Sequence, residues 1–224
     1  MASRITASLS YHDTRNCGIR MKIQALFSML LMTGLVIGSV SPVTASESQP
    51  VDVLRTRIDQ GLAVLNGAPC QTPACHARKE ERLWQLSREL FDFSTMSRLA
   101  LSSHWHDFTP AQQTAFVRQF AGFLRRTYLP LLLERYNGEQ IEYVRQVQLS
   151  PTRARVDALV LWSYRGIPIS AKMIYREGIW KIYDVSSLGI SAVGNYRAQF
   201  HGMLQEATPD KVIEILKNKN GRRL

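Results

Sequence analysis

Apolar residues recur every three or four positions over the part of the chain that follows residue 50, which predicts amphipathic helices there. One helix is expected from Val51 to Leu65 and a second from His76 to Leu90. A third, shorter helix should begin at Ser94, whose hydroxyl suits an N-cap, and end near Leu101. The region before residue 105 is therefore expected to be helical.

The segment from Thr109 carries the strongest helix start in the chain. Thr109 and Gln112 have the spacing of a capping box, and Pro110 stands at the first helical position, where its missing N–H leaves no hydrogen bond unmade. Pro130 falls inside the same pattern, and its ring should kink or end the helix. The apolar stripe of this helix is rich in aromatic residues and comprises Phe116, Phe120, Phe123, Leu124, Tyr128 and Leu131.

The apolar period changes to two beyond Asn137-Gly138, which predicts strands over 141–149, 156–164, 169–175 and 180–185. Short turns separate these segments, and turns of this length join antiparallel strands. Helical spacing returns at about Ser191 and again after Thr208-Pro209, and the basic residues 218–224 should form a flexible tail. The pattern predicts an α+β fold: a twisted four-stranded antiparallel sheet with helices packed on one face.

Residues 1–45 have the layout of a cleaved signal peptide. Basic residues precede an apolar run from Ile23 to Val40, and small side chains at Val43-Thr44-Ala45 predict cleavage after Ala45. A transmembrane anchor is the alternative, although the run is short for a span and contains two glycines. Met21 could be the true start in place of Met1, because it opens a leader of ordinary length. The first 45 residues therefore predict export.

Export changes what the basic balance of the chain means. The formal charge is +10 with a pI near 9.9, and removal of the leader takes away four cations and one anion, leaving +7. An exported protein rarely meets nucleic acid. The charge therefore points to anionic lipid surfaces or acidic partner proteins.

Two cysteines remain after the leader is removed, Cys70 and Cys75. An even pair in an oxidising compartment predicts a structural disulfide, which would close the turn between the first two helices. Redox catalysis favours C-x-x-C rather than this C-x4-C spacing, and a zinc site would need more ligands than the adjacent His76.

Residues that could carry catalysis are few. No nucleophile elbow, zinc-protease, phosphate-loop or calcium-loop motif is present. His104 and His106 flank Trp105 without a third metal ligand beyond Asp107, so a metal site is not expected. Asp184 could act as a general base on the inner face of the sheet, or it could brace the turn that follows by accepting backbone N–H bonds. Bracing is favoured, because no catalytic partner is evident. The chain is therefore not expected to be an enzyme, and no cofactor is expected.

Large apolar residues lie on elements that could face each other. The aromatic stripe of the long helix could meet the apolar face of the sheet, with either a plain core or a cavity between them. Ala158 and Ala171 are small residues on otherwise bulky strand faces and would leave room.

An ordered series of motifs from about residue 51 to 217 resembles the MlaC family of periplasmic phospholipid-binding proteins, also called toluene-tolerance auxiliary proteins. Leu101-Ser102-Ser103 departs from the family in lacking a Gly before Trp105, and the cysteine pair is not a family hallmark. The motifs that carry the resemblance are Phe91-Asp92-Phe93 with Trp105, Thr109-Pro110-x-Gln112, Phe116-x-x-x-Phe120, Thr127-Tyr128, Gly178 to Val185, Gly189-Ile190-Ser191 and Asn195-Tyr196-Arg197-Ala198-Gln199-Phe200.

The resemblance implies a periplasmic lipid carrier whose single domain covers residues 46–217. Such a carrier works without covalent chemistry between an outer-membrane lipoprotein complex and an inner-membrane ABC transporter complex, with phospholipid or a related lipid as cargo. Two alternatives stay open: an enzyme of the ketosteroid-isomerase-like type, with Asp184 as base and Tyr183 or Tyr175 as donor, and a ligand-free adaptor. The expected pocket lining comprises Trp105, Phe120, Phe123, Leu124, Tyr128, Val160, Ile169, Ala171, Met173, Tyr175, Tyr196 and Phe200.

Overall fold

The computed structural model describes residues 48–162 and 165–221. The expected leader over 1–45 lies outside the described residues. The helices are α1 (Pro50–Leu65), α2 (Pro73–Leu90), α3 (Phe93–Leu101), a 3₁₀ helix (Ser102–Asp107), α4 (Pro110–Arg135), α5 (Ala192–Glu206) and α6 (Pro209–Gly221). The strands are β1 (Gln140–Ser150), β2 (Arg153–Trp162), β3 (Arg165–Arg176), β4 (Ile179–Ser187) and β5 (Ile190–Ser191). No described helix is both long and apolar enough to cross a membrane.

The sheet is an antiparallel meander in the order β1-β2-β3-β4-β5. The predicted α+β class is confirmed, but the prediction of four strands is wrong, because the sheet has five. Leu188 and Gly189 both have positive φ and form a tight turn that folds β5 back onto the end of β4. A strand of two residues is too short to display an alternating pattern, so the sequence period could not reveal it.

The helix boundaries follow local chemistry. Thr109 and Gln112 form the expected capping box. The third helix starts earlier than predicted, because Asp92 rather than Ser94 caps it by accepting from the Thr95 N–H at 2.8 Å. Helix α4 continues past Pro130 to Arg135. Helix α6 extends through Gly221, so residues 218–221 are helical where a flexible tail was expected.

The core of the described residues divides into two packed groups. The sheet cluster comprises Leu54, Leu90, Ala154, Val156, Ala171, Met173, Trp180 and Ile182. The helical cluster comprises Met96, Ala100, Leu101, Phe108, Phe116, Phe120, Leu124, Val193, Tyr196, Phe200, Val212 and Leu216.

The aromatic stripe of α4 packs mainly on other helices. The ring of Phe120 lies 5.1 Å from that of Tyr196 and 5.3 Å from that of Phe200, both edge to face. The main neighbours of α4 are α6, α3 and α2, so the expectation that this stripe faces the sheet is wrong for its first half. The spacing of apolar residues reveals which side of a helix is buried, but it does not reveal the element that packs against that side.

Cys70 and Cys75 are joined by a disulfide in the turn between α1 and α2, with the two sulfur atoms 2.06 Å apart. This bond closes a short loop beside the N-cap of α2, where the Thr72 hydroxyl accepts from the Cys75 N–H at 3.2 Å.

Candidate functional site

The core face of the sheet is covered at one end and open at the other. At the covered end, Val156 and Met173 are almost completely buried in the sheet cluster. At the open end, where β1 begins, Ile141, Val160 and Ile167 stand opposite one another across three strands and are only half-buried. Ile169 lies half-buried in the next row, opposite Ala158. The open end therefore presents an aliphatic surface that the core does not fill.

Helix α1 forms one wall of this open end. Its first turn contacts the far part of β1, because the Val51 N–H donates to Gln146 Oε1 at 2.9 Å. Its last turn reaches the start of β1, where a pocket of about 480 Å³ lies between Leu62, Tyr136, Ile141 and Tyr143. Ile141 belongs both to this pocket and to the aliphatic row, so the pocket adjoins the row. The pocket is largely polar, because Asp59, Asn66, Glu139 and Gln140 also line it.

The last two turns of α4 and its C-cap residue are anchored at two points, one on α5 and one at the end of α1. Near β5, the Tyr128 hydroxyl hydrogen-bonds the Tyr196 hydroxyl of α5 at 2.9 Å. Near β1, the Tyr136 hydroxyl donates to Asn66 Oδ1 at 3.0 Å. Pro130 stands between these anchors and supplies no backbone N–H to the helix. We call this segment the α4 roof, and three large residues on it are exposed: Tyr128, Leu131 and Leu132.

The β4–β5 turn forms the remaining rim. Leu188 is 74% exposed and Ile190 is 69% exposed, the two highest values among the large apolar residues that the structure describes. The Leu188 N–H donates to the Pro168 carbonyl of β3, which holds the turn beside the row that contains Ile169. Leu188 also has φ of 51°, a conformation that bulky residues rarely adopt. Two exposed aliphatic side chains therefore flank the open end. We call the space bounded by the aliphatic rows, α1, the α4 roof and this turn the cleft.

The structure separates the predicted lining residues into three groups. Tyr128, Val160 and Ile169 lie at the cleft. Ala171 and Met173 belong to the sheet cluster with Tyr175 packed against it, and Phe120, Leu124, Tyr196 and Phe200 belong to the helical cluster with Trp105 and Phe123 packed against it.

Ala158 and Ala171, the small residues expected to leave room, are both buried, at 8% and 5% exposure. Ile167, Leu188 and Ile190 were missed as candidates. The strand alternation could have revealed Ile167, but the exposed turn depends on β5, which has no sequence signal.

Asp184 braces the start of α5. Its carboxylate is buried and accepts from the Ser191 hydroxyl at 2.8 and 2.9 Å, from the Val193 N–H at 3.1 Å and from Lys172 Nζ at 3.3 Å. Both oxygen atoms are therefore engaged by groups that hold the chain reversal after β4. This geometry supports the bracing interpretation and offers no free oxygen to a substrate.

The histidines form a surface chain of hydrogen bonds. His104 Nδ1 lies 2.9 Å from Asp107 Oδ2, and His104 Nε2 lies 3.0 Å from His201 Nδ1 on α5. Within the described part of the chain, no group of three or more His, Cys, Asp or Glu side chains is placed to hold a metal ion. The chain of bonds links the 3₁₀ helix to α5.

The face of the sheet opposite the cleft carries ion pairs centred on Asp157. Ser170 and Arg145 donate to its two oxygens at 2.6 and 2.7 Å, and Arg155 Nε lies 3.1 Å away. Burial opposes ionisation, but the hydrogen bonds from Ser170 and Arg145 and the positive charges outweigh it and lower the pKa of Asp157 below its ordinary value.

We expect Asp157 to make stability depend on pH in the acid range. A carboxylate with a lowered folded pKa stabilises the protein fully above its unfolded pKa of about 3.9, and this stabilisation is lost as the pH falls through the folded pKa. Chemical denaturation between about pH 5 and pH 3 should show a smaller loss of stability in Asp157→Asn than in the unmodified protein. An equal dependence of the free energy of unfolding on pH in the two proteins would contradict this role of Asp157.

Comparisons with known proteins agree with the geometry. A family model described as MlaC protein matches residues 55–218. Among solved structures, the fold is similar to that of the phospholipid-binding protein from Ralstonia solanacearum in complex with a phospholipid, with a TM-score of 0.66 and 20% identity. The similarity covers 78% of this chain and 98% of that one. A comparison with curated proteins found no match to this sequence. The family match extends from α1 to α6 and contains every element that borders the cleft, and the chain is a member of the MlaC family.

Proposed function

We propose that this chain is a phospholipid carrier and that its cleft holds the acyl chains. The observation that carries the proposal is the half-covered aliphatic surface of Ile141, Val160, Ile167 and Ile169 in a fold shared with a protein solved in complex with a phospholipid. A plain core would bury these residues, as it buries Val156 and Met173. An exposed apolar surface at the mouth of a concave site indicates a binding function.

The energetics favour an apolar cleft as the means of moving lipid through water. Burial of one CH₂ group contributes about 0.8 kcal/mol, so a chain of about 16 carbons contributes on the order of 13 kcal/mol before opposing costs. The half-buried aliphatic rows and the partly exposed residues of the α4 roof supply matching surface on two sides. The headgroup would stay at the rim near Leu188 and Ile190, in contact with water.

The deeper predicted lining residues belong to the same proposal. Phe120, Tyr196 and Phe200 pack in the helical cluster, and Ala171 and Met173 pack in the sheet cluster. The Tyr128–Tyr196 hydrogen bond joins the roof of the cleft to the helical cluster. A long acyl chain would reach these residues by entering between the two clusters, while Tyr128, Val160 and Ile169 contact it first.

We propose that the carrier works in the periplasm between two membrane complexes. The expected signal peptide supports export, and family membership supports a role beside an inner-membrane ABC transporter complex and an outer-membrane lipoprotein complex. The cargo is phospholipid or a related lipid. In this role the protein binds lipid and releases it without covalent chemistry or a cofactor.

The test is native mass spectrometry of residues 46–224, purified from a bacterial periplasm without detergent and followed by organic extraction. We expect a mass increment near one lipid per chain and a glycerophospholipid in the extract. A lipid-free mass that stays unchanged after incubation with liposomes would contradict the carrier function and favour a ligand-free adaptor.

A further inference from the structure

We infer that the outer face of β1–β4, on the side of the sheet opposite the cleft, is a docking surface for a carboxylate-rich surface of a partner protein. The inference deepens the proposed carrier function by naming the face that a partner would recognise. It depends on the arrangement of charges on this face, which differs from that on the rest of the described surface.

In each ion pair of the outer face the cation is more exposed than the carboxylate that it pairs with. The side chains of Arg145 and Arg155 are 63% and 33% exposed, while their shared partner Asp157 is 16% exposed. The side chain of Lys172 is 40% exposed, and that of its partner Asp184 is 6% exposed. Arg176, the last residue of β3, has a side chain that is 49% exposed, and that of its partner Asp92 is 10% exposed. The surface that a partner would meet is therefore positive, because the compensating charges lie below it.

Ion pairs elsewhere in the described chain do not have this arrangement. On α1, the carboxylate of Asp52 is at least as exposed as its partner Arg55. On α6, Lys211 and Glu214 are exposed almost equally. Such pairs present a positive and a negative charge side by side, so they attract neither an acidic nor a basic surface of a partner strongly.

Two further cations on the outer face pair with no carboxylate among the residues that the structure describes. Arg153 and Lys181 flank Ile174 on neighbouring strands, next to the row that holds Arg155 and Lys172. The guanidinium of Arg153 lies 5.9 Å from the centre of the Tyr183 ring instead of beside an acid. The face thus carries six cations above three carboxylates that are less exposed than the cations, and Glu142, opposite Leu159, is an exposed carboxylate near the start of β1.

Of the helices in the described ranges, one packs closely on β1 and β2, and it does not lie on their outer face. The helix that packs on β1 and β2 is α1, and it does so from the core face through Leu54. The buried carboxylates hold Arg145, Arg155 and Lys172 at fixed positions, with Asp157 itself held by Ser170. A rigid array of cations suits carboxylates at matching fixed positions on a protein.

The position of the cleft favours a protein partner over a bilayer. The cleft lies on the opposite side of the sheet, and its exposed rim of Leu188 and Ile190 is at the end of the sheet. A bilayer bound to the outer face would keep the rim out of contact with lipid. A protein bound there would hold the carrier while leaving the rim free for lipid transfer.

The experiment compares two charge reversals of equal size in residues 46–224. The test variant is Arg153→Glu with Lys181→Glu, because neither side chain has an ion-pair partner on the described surface. The control variant is Arg78→Glu with Arg118→Glu, two exposed cations on α2 and α4. Fluorescence anisotropy measures the binding of labelled poly-L-glutamate at low salt, and flotation measures the binding of vesicles that contain phosphatidylglycerol. Native mass spectrometry reports the lipid content of each variant.

We expect the test variant to weaken poly-glutamate binding by about tenfold or more and the control variant by less than about threefold. The two glutamates introduced on the outer face would repel the carboxylates of poly-glutamate directly, whereas those of the control variant lie away from that face. Lipid content should stay unchanged in both variants, which separates this inference from the carrier function. Equal weakening in the two variants would show that net charge alone is responsible and would overturn the inference. A test variant that loses vesicle binding but keeps poly-glutamate binding would also overturn it, in favour of a membrane surface.

Discussion

A protein carrying Val160→Trp should purify with little or no bound lipid. Val160 is half-buried in the aliphatic row at the open end, where an indole ring would occupy the space that we assign to the acyl chains. Loss of contact with about four CH₂ groups would cost about 3 kcal/mol, which is more than a hundredfold in affinity. Native mass spectrometry of the periplasmic protein, before and after incubation with liposomes, measures the effect.

The matched control is Leu161→Trp, at the next residue of the same strand. Successive strand residues point to opposite faces, and Leu161 is 37% exposed on the outer face. This variant adds the same ring to the same strand but should keep about one lipid per chain. Equal lipid content in the two variants, with both folded by circular dichroism, would contradict the assignment of the cleft.

Replacing Asp184 by Ala should destabilise the fold by about 3 kcal/mol. The substitution leaves the Ser191 hydroxyl, the Val193 N–H and the Lys172 ammonium without their common acceptor. The Val193 N–H is buried, so water cannot fully replace the carboxylate. Urea denaturation at pH 7 measures the change in the free energy of unfolding.

Asp52→Ala provides the comparison for a surface carboxylate. Asp52 pairs with Arg55 at 3.5 Å and both side chains are more than half exposed, so its loss should cost less than about 1 kcal/mol. A cost of similar size for Asp184→Ala would contradict the bracing role. Turnover of a small carbonyl substrate that Asp184→Asn abolishes, with stability retained, would favour the enzyme alternative.

Local patterns were reliable wherever the cause of the structure is local. The capping box at Thr109 and Gln112 depends on residues three positions apart, and the structure forms it as expected. The four long strands lie where the alternation predicted strands, and they are nine to twelve residues long. The family resemblance was also accessible from residues that lie close together in the chain, and the family match confirms it.

The candidate site was only partly accessible from the sequence. Val160 and Ile169 were predicted to line the pocket and border the cleft that we propose as the binding site, because apolar alternation identifies the inner face of each strand. Tyr128 was predicted from the helical period and lies on the α4 roof. The same pattern made Phe120 and Phe200 equivalent candidates, although they pack against each other between helices. Period alone does not distinguish an apolar residue that is covered from one that is left open.

What the sequence determined by itself was the class of fold, the inner faces of its elements and the family, since each depends on short-range spacing. The tertiary structure decided which inner faces meet. It joined the end of α4 to α5 through Tyr128 and to the end of α1 through Tyr136, and it left Leu188 and Ile190 exposed in the β4–β5 turn. It also buried Asp157 and Asp184 beneath the cations of the outer face. Contacts between residues distant in the chain depend on packing geometry, and local spacing does not encode them.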